Sequence, residues 1–182
     1  MKFRYAVLML TAFASVPALA FDVTSKDMQA GQPMNEAQVY QGFGCSGGNV
    51  SPELAWSGAP EGTKSFAVTA YDPDAPTGSG WWHWVVFNIP ADVHELPAGA
   101  GDPTGGAAPA GSVQTRTDFG TVGYGGPCPP VGHGPHHYQF RVFALDVERL
   151  DLSPDSTAAL VGFMLNAHKL GVAELEATYE RR

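Results

Sequence analysis

Two segments of this sequence carry residues that could do chemistry together. Tyr71-Asp72-Pro73-Asp74-Ala75-Pro76 places two carboxylates in a turn, and Gly80-Trp81-Trp82-His83-Trp84 follows with a histidine among tryptophans. Farther along, Gly125-Gly126-Pro127-Cys128-Pro129-Pro130 leads into Pro135-His136-His137-Tyr138. Loops bury little core, and functional side chains concentrate where such loops meet a rigid scaffold. A carboxylate, imidazoles, aromatic walls and a glycine-rich turn make the inventory of a small anion-binding pocket.

Each residue has a duller alternative. Asp74 fits turn chemistry, in which an aspartate caps its own backbone beside proline. Asp72 leaves an apolar strand, so its carboxylate would point into whatever cavity the loops enclose. An isolated histidine among apolar residues is ordinarily a satisfied core residue. The second histidine segment shifts His83 toward a site role, donating to a phosphate or pairing with Asp72. His136 and His137 would point to opposite faces of a strand. The site then takes His136 together with Tyr138, and His137 faces solvent. His94, His133 and His168 have no supporting neighbours and carry no assignment. Gly123-Tyr124-Gly125-Gly126 could bend so that backbone N–H groups converge on an anion. It is not a P-loop, because no Gly-Lys-Ser/Thr follows.

An acid inside an anion pocket needs a reason. Asp72 would repel phosphate unless it is protonated, pairs with an imidazolium, or meets a cationic part of the ligand. A zwitterion such as phosphoethanolamine resolves the conflict. Its phosphate would meet His83, His136 and backbone N–H groups. Its ammonium would approach a carboxylate or an aromatic face such as Trp82 or Tyr138.

The elements that must position these residues are mostly strands. Phe21 to Met28 alternates weakly, and Leu54-Ala55-Trp56 is a short strand. Ser65 to Tyr71 and Trp84 to Ile89 are apolar and β-branched, separated by Thr77-Gly78-Ser79-Gly80, as in an antiparallel pair. Leu96 to Gly111 is a Gly/Ala/Pro-rich excursion, either a lid or a packed Ω-type loop. Val113 to Phe119 alternates weakly. Gln139 to Leu145 sets Phe140, Val142 and Ala144 on one face. One helix is expected near the end, with Ser153 as N-cap, Pro154 in its first turn, Leu160, Phe163, Met164 and Leu170 at helical spacing, and Gly171 as its stop. Leu175, Ala177 and Tyr179 then alternate with polar residues in a half-exposed strand. The expectation is a single strand-rich domain over residues 21–182.

With 182 residues, 44% hydrophobic and 15% charged, the composition is that of a globular domain with a thin charge coat. Gly 22 and Pro 15 are dispersed, which indicates turns rather than collagen-like repeats. Lys2 and Arg4, an apolar run from Ala6 to Ala14, and Ala18-Leu19-Ala20 read as a secretory signal over residues 1–20, cleaved after Ala20. That places the mature chain in the periplasm or outside the cell. No later segment is long and apolar enough to span a membrane. Cleavage removes Lys2 and Arg4 from a chain of formal net charge −8. So acidic a protein is a poor binder of nucleic acid or anionic membranes. Cys45 and Cys128, an even count in an exported chain, suit either a disulfide or site-lining thiols. A nucleophilic Cys128 beside His136 lacks a helix N-terminus to activate it.

The Asp72-Pro73-Asp74-Ala75-Pro76 turn, Trp81 with His83, Gly126-Pro127-Cys128-Pro129-Pro130, and His136 with Tyr138 resemble the phosphatidylethanolamine-binding protein family. The likeness is to its bacterial branch, often labelled Raf kinase inhibitor-like; the Cys45 to Pro52 loop and Trp56 share it. The resemblance covers nearly all of the mature chain and implies a mostly β fold, with a large central antiparallel sheet packed on a smaller one and few helices. It implies a pocket for phosphate-type anions and phosphoethanolamine head groups, lined by Asp72, His83, His136 and Tyr138, with Pro76, Cys128, Pro129 and Pro130 at its rim. It implies no cofactor. Relatives include lipid binders, kinase-pathway modulators and protease inhibitors, and bacterial relatives are often homodimers. Cys128 departs from the family, since eukaryotic relatives tend to have glycine there. An exported protein would not meet a kinase inside its own cell.

Three functions compete. The first is a non-enzymatic binding protein for a phosphate-containing small molecule or phospholipid head group. The second is a metal-dependent enzyme using Asp72, His83 and His136 as a two-histidine, one-carboxylate site. The third is a protease inhibitor or partner-interaction protein whose pocket is vestigial. No nucleophile–base–orienter set favours hydrolysis.

Overall fold

A computed structural model describes residues 20–182, so the expected signal segment, residues 1–20, lies outside the described residues except for Ala20. The chain forms β1 (Asp22–Thr24), β2 (Gln41–Gly42), β3 (Cys45–Ser46), β4 (Leu54–Ser57), β5 (Ser65–Asp72), β6 (Trp81–Pro90), β7 (Glu95–Leu96), β8 (Val113–Gln114), β9 (His136–Leu145), α1 (Ala158–His168) and β10 (Lys169–Tyr179). Five strands pair in the order β10-β9-β5-β6-β8, and three in the order β1-β4-β7. Every strand pair is antiparallel. The mostly β class and its central antiparallel sheet are as the sequence suggests. No helix among the described residues is long and apolar enough to cross a membrane.

Period-two alternation explains the layers. Phe66, Val68 and Ala70 of β5, Trp84 and Val86 of β6, and Phe140, Val142 and Ala144 of β9 pack with Val23, Leu54, Trp56 and Leu96 of the smaller sheet. The opposite face, with Ala67, Val85, Phe87, Phe143 and Leu145, is covered by Val161 and Leu165 of α1. Leu175 and Ala177 of β10 are buried as the alternation requires.

The helix begins later than Ser153. Thr157 is the N-cap, its side chain accepting from the amide of Leu160. Ser153 caps a separate turn, with Oγ accepting from the amide of Asp155 at 3.0 Å. The expected apolar stripe is displaced too: Ala158, Val161 and Leu165 are buried, while Leu160 and Phe163 are exposed. Gly171 does not stop the helix. It lies inside β10, where a Cβ would press on Pro60. The 97–112 loop is packed rather than a lid over the predicted site. Ala100 and Gly101 are buried, Gly101 donates to Ser51 Oγ at 2.8 Å, and Gln114 donates to the carbonyl of Ala100.

Cys45 and Cys128 are joined in a disulfide with Cα atoms 6.0 Å apart. The bridge ties the β2–β3 hairpin to the proline-rich 127–130 segment. Arg181 adds a clamp, donating to the carbonyls of Gly44 at 3.0 Å and Pro129 at 3.3 Å. At the hairpin tip, Phe43 is held at φ 53°, a left-handed conformation that a bulky residue adopts only when its surroundings enforce it.

Candidate functional site

Three neighbouring strands end together and carry the candidate side chains. β5 pairs with β9 through Tyr71 opposite Gln139, so Asp72 finishes β5 beside His136 and Tyr138. Asp72 lies on the face of Val68 and Ala70, and His136 and Tyr138 lie on the face of Phe140.

His83 reaches that face by a different device. Ala70 is opposite Trp84, yet Tyr71 is opposite Trp82, so His83 is the extra residue of a β-bulge. Strict alternation would put His83 on the side away from Trp84. The bulge lets both serve the same side, and it sends Trp82 to the helix face, against Gly162 of α1. Trp82 is therefore not the aromatic wall of the site; Trp81 is.

One cavity of about 180 Å³ is lined by Asp72, His83, His136, Tyr138 and Trp81 on its floor and sides. Pro76, Cys128, Pro129 and Pro130 line it as well, joined by Phe43, Phe119 and Thr77. The sequence did not single out Phe43 or Phe119. Their contribution is visible only in three dimensions, where Tyr40, Phe43, Phe119 and Trp81 form a chain of ring contacts 4.3 to 5.9 Å apart.

Asp72 is buried and heavily engaged. Its Oδ1 accepts from the amides of Asp74 at 2.8 Å and Ala75 at 3.1 Å, and its Oδ2 accepts from His136 Nδ1 at 2.7 Å. His136 Nε2 lies 2.8 Å from His133 Nδ1, within hydrogen-bonding distance. His133 thus belongs to this network, contrary to its blank sequence assignment. The signal was the turn Pro130 to His133, which folds the imidazole back over His136. His137 faces out and pairs with Asp74 at 2.7 Å, which raises its pKa from the ordinary 6.5. Burial opposes ionisation of Asp74, but the His137 contact prevails and holds its pKa below the usual carboxylate range.

His83 donates from Nδ1 to the carbonyl of Gly125 at 2.6 Å, and its ring meets Tyr138 edge-on at 5.1 Å. Burial drives its pKa down from 6.5 to about 4, against the pull of Gly125 and of the Asp72 charge. The unfolded chain therefore binds this proton first. Stability linked to His83 is intact above pH 6.5 and is lost progressively as pH falls toward 4, on the order of 3 kcal/mol in total. Imidazole NMR should show His83 titrating near pH 4; a midpoint near 6.5 would overturn the assignment.

The glycine turn does not form an anion nest. Gly123, Tyr124 and Gly125 donate their amides to Thr115, Gly101 and His83 carbonyls, and Gly126 donates to Asn49 Oδ1 at 2.8 Å. Its glycines serve close packing instead: an added Cβ at Gly126 would run into the carbonyl of Gln38. What the cavity leaves open are side chains. Among the described residues, the Tyr138 hydroxyl and Trp81 Nε1 find no partner and are buried. Burial raises the Tyr138 pKa far above the ordinary value, so the hydroxyl keeps its proton. Asp72 and His136 are directed at each other rather than at a common centre, and among the described residues no group of three His, Cys, Asp or Glu is placed to hold a metal ion.

Comparison with known proteins bears on this geometry. A family model described as phosphatidylethanolamine-binding protein matches residues 24–180. The chain is 58% identical over 166 residues to the UPF0098 protein YbcL of Escherichia coli K12, covering 91% of each. It is 35% identical over 172 residues to a putative lipoprotein LppC of Mycobacterium tuberculosis H37Rv, covering 93% of this chain and 79% of the relative. The crystal structure of E. coli YbcL, described as a new member of the mammalian PEBP family, superposes with a TM-score of 0.88 at 57% identity, covering 89% and 99% of the two chains.

Proposed function

The chain belongs to the phosphatidylethanolamine-binding protein family, and from that premise we propose that it is an exported binding protein that holds a small phosphate-bearing head group without transforming it. The observation that carries the reading is the Tyr138 hydroxyl. It is buried, has no partner among the described residues, and belongs to a side chain that lines the cavity. A buried donor without a partner destabilises a fold, and a ligand oxygen at that place removes the penalty. Trp81 Nε1 adds a second waiting donor. The cavity, about 180 Å³, is smaller than the roughly 300–1,000 Å³ of sites for drug-sized ligands, so a head group fits its scale and acyl chains would stay outside. An ammonium group would find the Asp72 carboxylate and the faces of Trp81 and Phe119.

Export is favoured by the Cys45–Cys128 disulfide, which persists in oxidising compartments, and by the small-residue cleavage site ending at Ala20. The similar mycobacterial protein is named a putative lipoprotein, which agrees with an envelope location.

Tyr138→Phe tests the reading cleanly. Deleting an unpartnered hydroxyl should leave stability unchanged or raise it by about 1 kcal/mol. It should weaken phosphoethanolamine binding about tenfold, the loss of one ligand hydrogen bond. Thermal unfolding measures the first effect, and NMR titration of residues 21–182 with phosphoethanolamine, with metal analysis of the same sample, measures the second. No saturable shift in the native protein would overturn the proposal, and stoichiometric metal would favour the enzyme alternative.

A further inference from the structure

His83 is a neutral ring at neutral pH, because burial holds its pKa down at about 4. A neutral imidazole carries one hydrogen, and the partner of one ring nitrogen decides which nitrogen bears it. Here that partner is the carbonyl of Gly125, which only accepts. The hydrogen therefore sits on Nδ1, and Nε2 is the accepting nitrogen of a ring that lines the cavity.

The glycines themselves do not secure the orientation of that carbonyl. It belongs to the peptide unit between Gly125 and Gly126. Glycine adopts positive and negative φ with similar ease, so a Gly-Gly peptide unit rotates at little cost. Rotated, the unit would turn the Gly126 N–H toward Nδ1. That nitrogen would then have to accept, and the ring hydrogen would pass to Nε2.

Asn49 stands against this rotation. Its Oδ1 accepts from the Gly126 amide at 2.8 Å, the opposite end of the unit whose carbonyl meets His83 Nδ1 at 2.6 Å. Its Nδ2 donates to the carbonyl of Tyr124 at 3.2 Å. The other end of that preceding unit, the Gly125 N–H, donates to the carbonyl of His83 at 2.9 Å. Two successive peptide units are thus each gripped between Asn49 on one side and His83 on the other. A carbonyl cannot donate and an N–H cannot accept, so these partners also fix which way the Asn49 amide points. Asn49 is itself anchored. Its φ is 51°, in the left-handed region that asparagine tolerates. The amides of Gly48, Asn49 and Val50 donate to the carbonyls of Glu36, Val39 and Ala37.

We propose that Asn49, which does not line the cavity, is a positioning residue for it: by locking the peptide units on both sides of Gly125 it sets the tautomer of His83, so that this wall of the cavity accepts a hydrogen bond rather than donating one.

Long-range ¹H–¹⁵N NMR of the imidazoles at neutral pH, in the native protein, Asn49→Gly and Asn49→Asp, tests this. Glycine takes a φ of 51° without strain and removes both side-chain bonds. In the native protein His83 should carry its hydrogen on Nδ1. In Asn49→Gly the hydrogen should move mainly to Nε2, the position a free neutral imidazole favours. Asn49→Asp keeps an acceptor for the Gly126 amide and should keep the native tautomer. A purely structural role would lower the unfolding midpoint of both variants and move the tautomer in neither. Phosphoethanolamine affinity should fall about fivefold in Asn49→Gly, the loss of one matched hydrogen bond. This binding arm rests on the head-group reading above, whereas the spectra do not. Nε2–H in the native protein, or an unmoved tautomer in Asn49→Gly, would overturn the inference. A freed ring with unchanged affinity would overturn the role of Asn49 in binding. If the native protein binds no phosphoethanolamine, the head-group reading fails and the spectra alone decide this inference. If the glycine variant does not fold, the native spectrum and the aspartate variant decide it.

Discussion

Asp72→Ala should cost the protein roughly 3–5 kcal/mol, because it strips three buried donors of one acceptor and each unsatisfied group costs about 1–3 kcal/mol. The Asp72 and His136 side chains are 4% and 2% exposed, so water cannot replace what is lost. The amides of Asp74 and Ala75 and Nδ1 of His136 would all lose their acceptor at once. The unfolding midpoint should fall by about 10 °C for a domain of this size. Asp72→Asn separates charge from shape. Its Oδ1 can keep both amides, but its NH₂ would meet His136 Nδ1, so the His136 hydrogen must move to Nε2 and donate to His133. The asparagine variant should therefore cost far less than alanine, and ¹⁵N NMR should show the His136 tautomer inverted. Equal destabilisation by both variants would show that the charge, not the hydrogen-bond pattern, holds this corner together.

Removing the disulfide, as Cys45→Ser with Cys128→Ser, should have an effect of similar size. The bridge spans 83 residues of sequence, and closing such a loop restricts the unfolded chain by on the order of 4 kcal/mol. Thermal unfolding should drop by about 10 °C, and reductant should lower the native protein's midpoint to the same value without affecting the variant. Ligand affinity should change less than stability, because Arg181 still donates to the carbonyls of Gly44 and Pro129 and holds the hairpin at the mouth. A variant with an unchanged midpoint would show that the loop is already ordered by other contacts.

The legible parts of this molecule are those governed by simple alternation. A period of two put His136 with Tyr138 and Phe140 on one face and turned His137 outward, and the strand before Asp72 delivered its carboxylate to the same corner. Alternation misleads where the pairing slips. Nothing in Trp81-Trp82-His83-Trp84 announces a bulge, so the identity of the wall tryptophan could not be read, and Trp81 takes the place expected of Trp82. The glycine turn was misjudged for another reason. Its amides are taken by Gly101, Thr115, His83 and Asn49, acceptors contributed by segments far away in sequence. The helix start was obscured because Ser153-Pro154 has the chemistry of a cap yet heads a turn one step earlier, leaving Thr157 to do the capping.

The bulge at His83 also sets how such a site could be lost or regained over time. Deleting the single codon for this residue would remove the register shift between Ala70 and Tyr71, leave the one between Phe66 and Val68 untouched, and keep Trp82 and Trp84 on the faces they already occupy. The sheet would persist while its imidazole vanished. Among descendants of such a chain, a one-residue gap in this strand would mark members that keep the architecture but have lost this imidazole, a distinction that overall identity would not reveal.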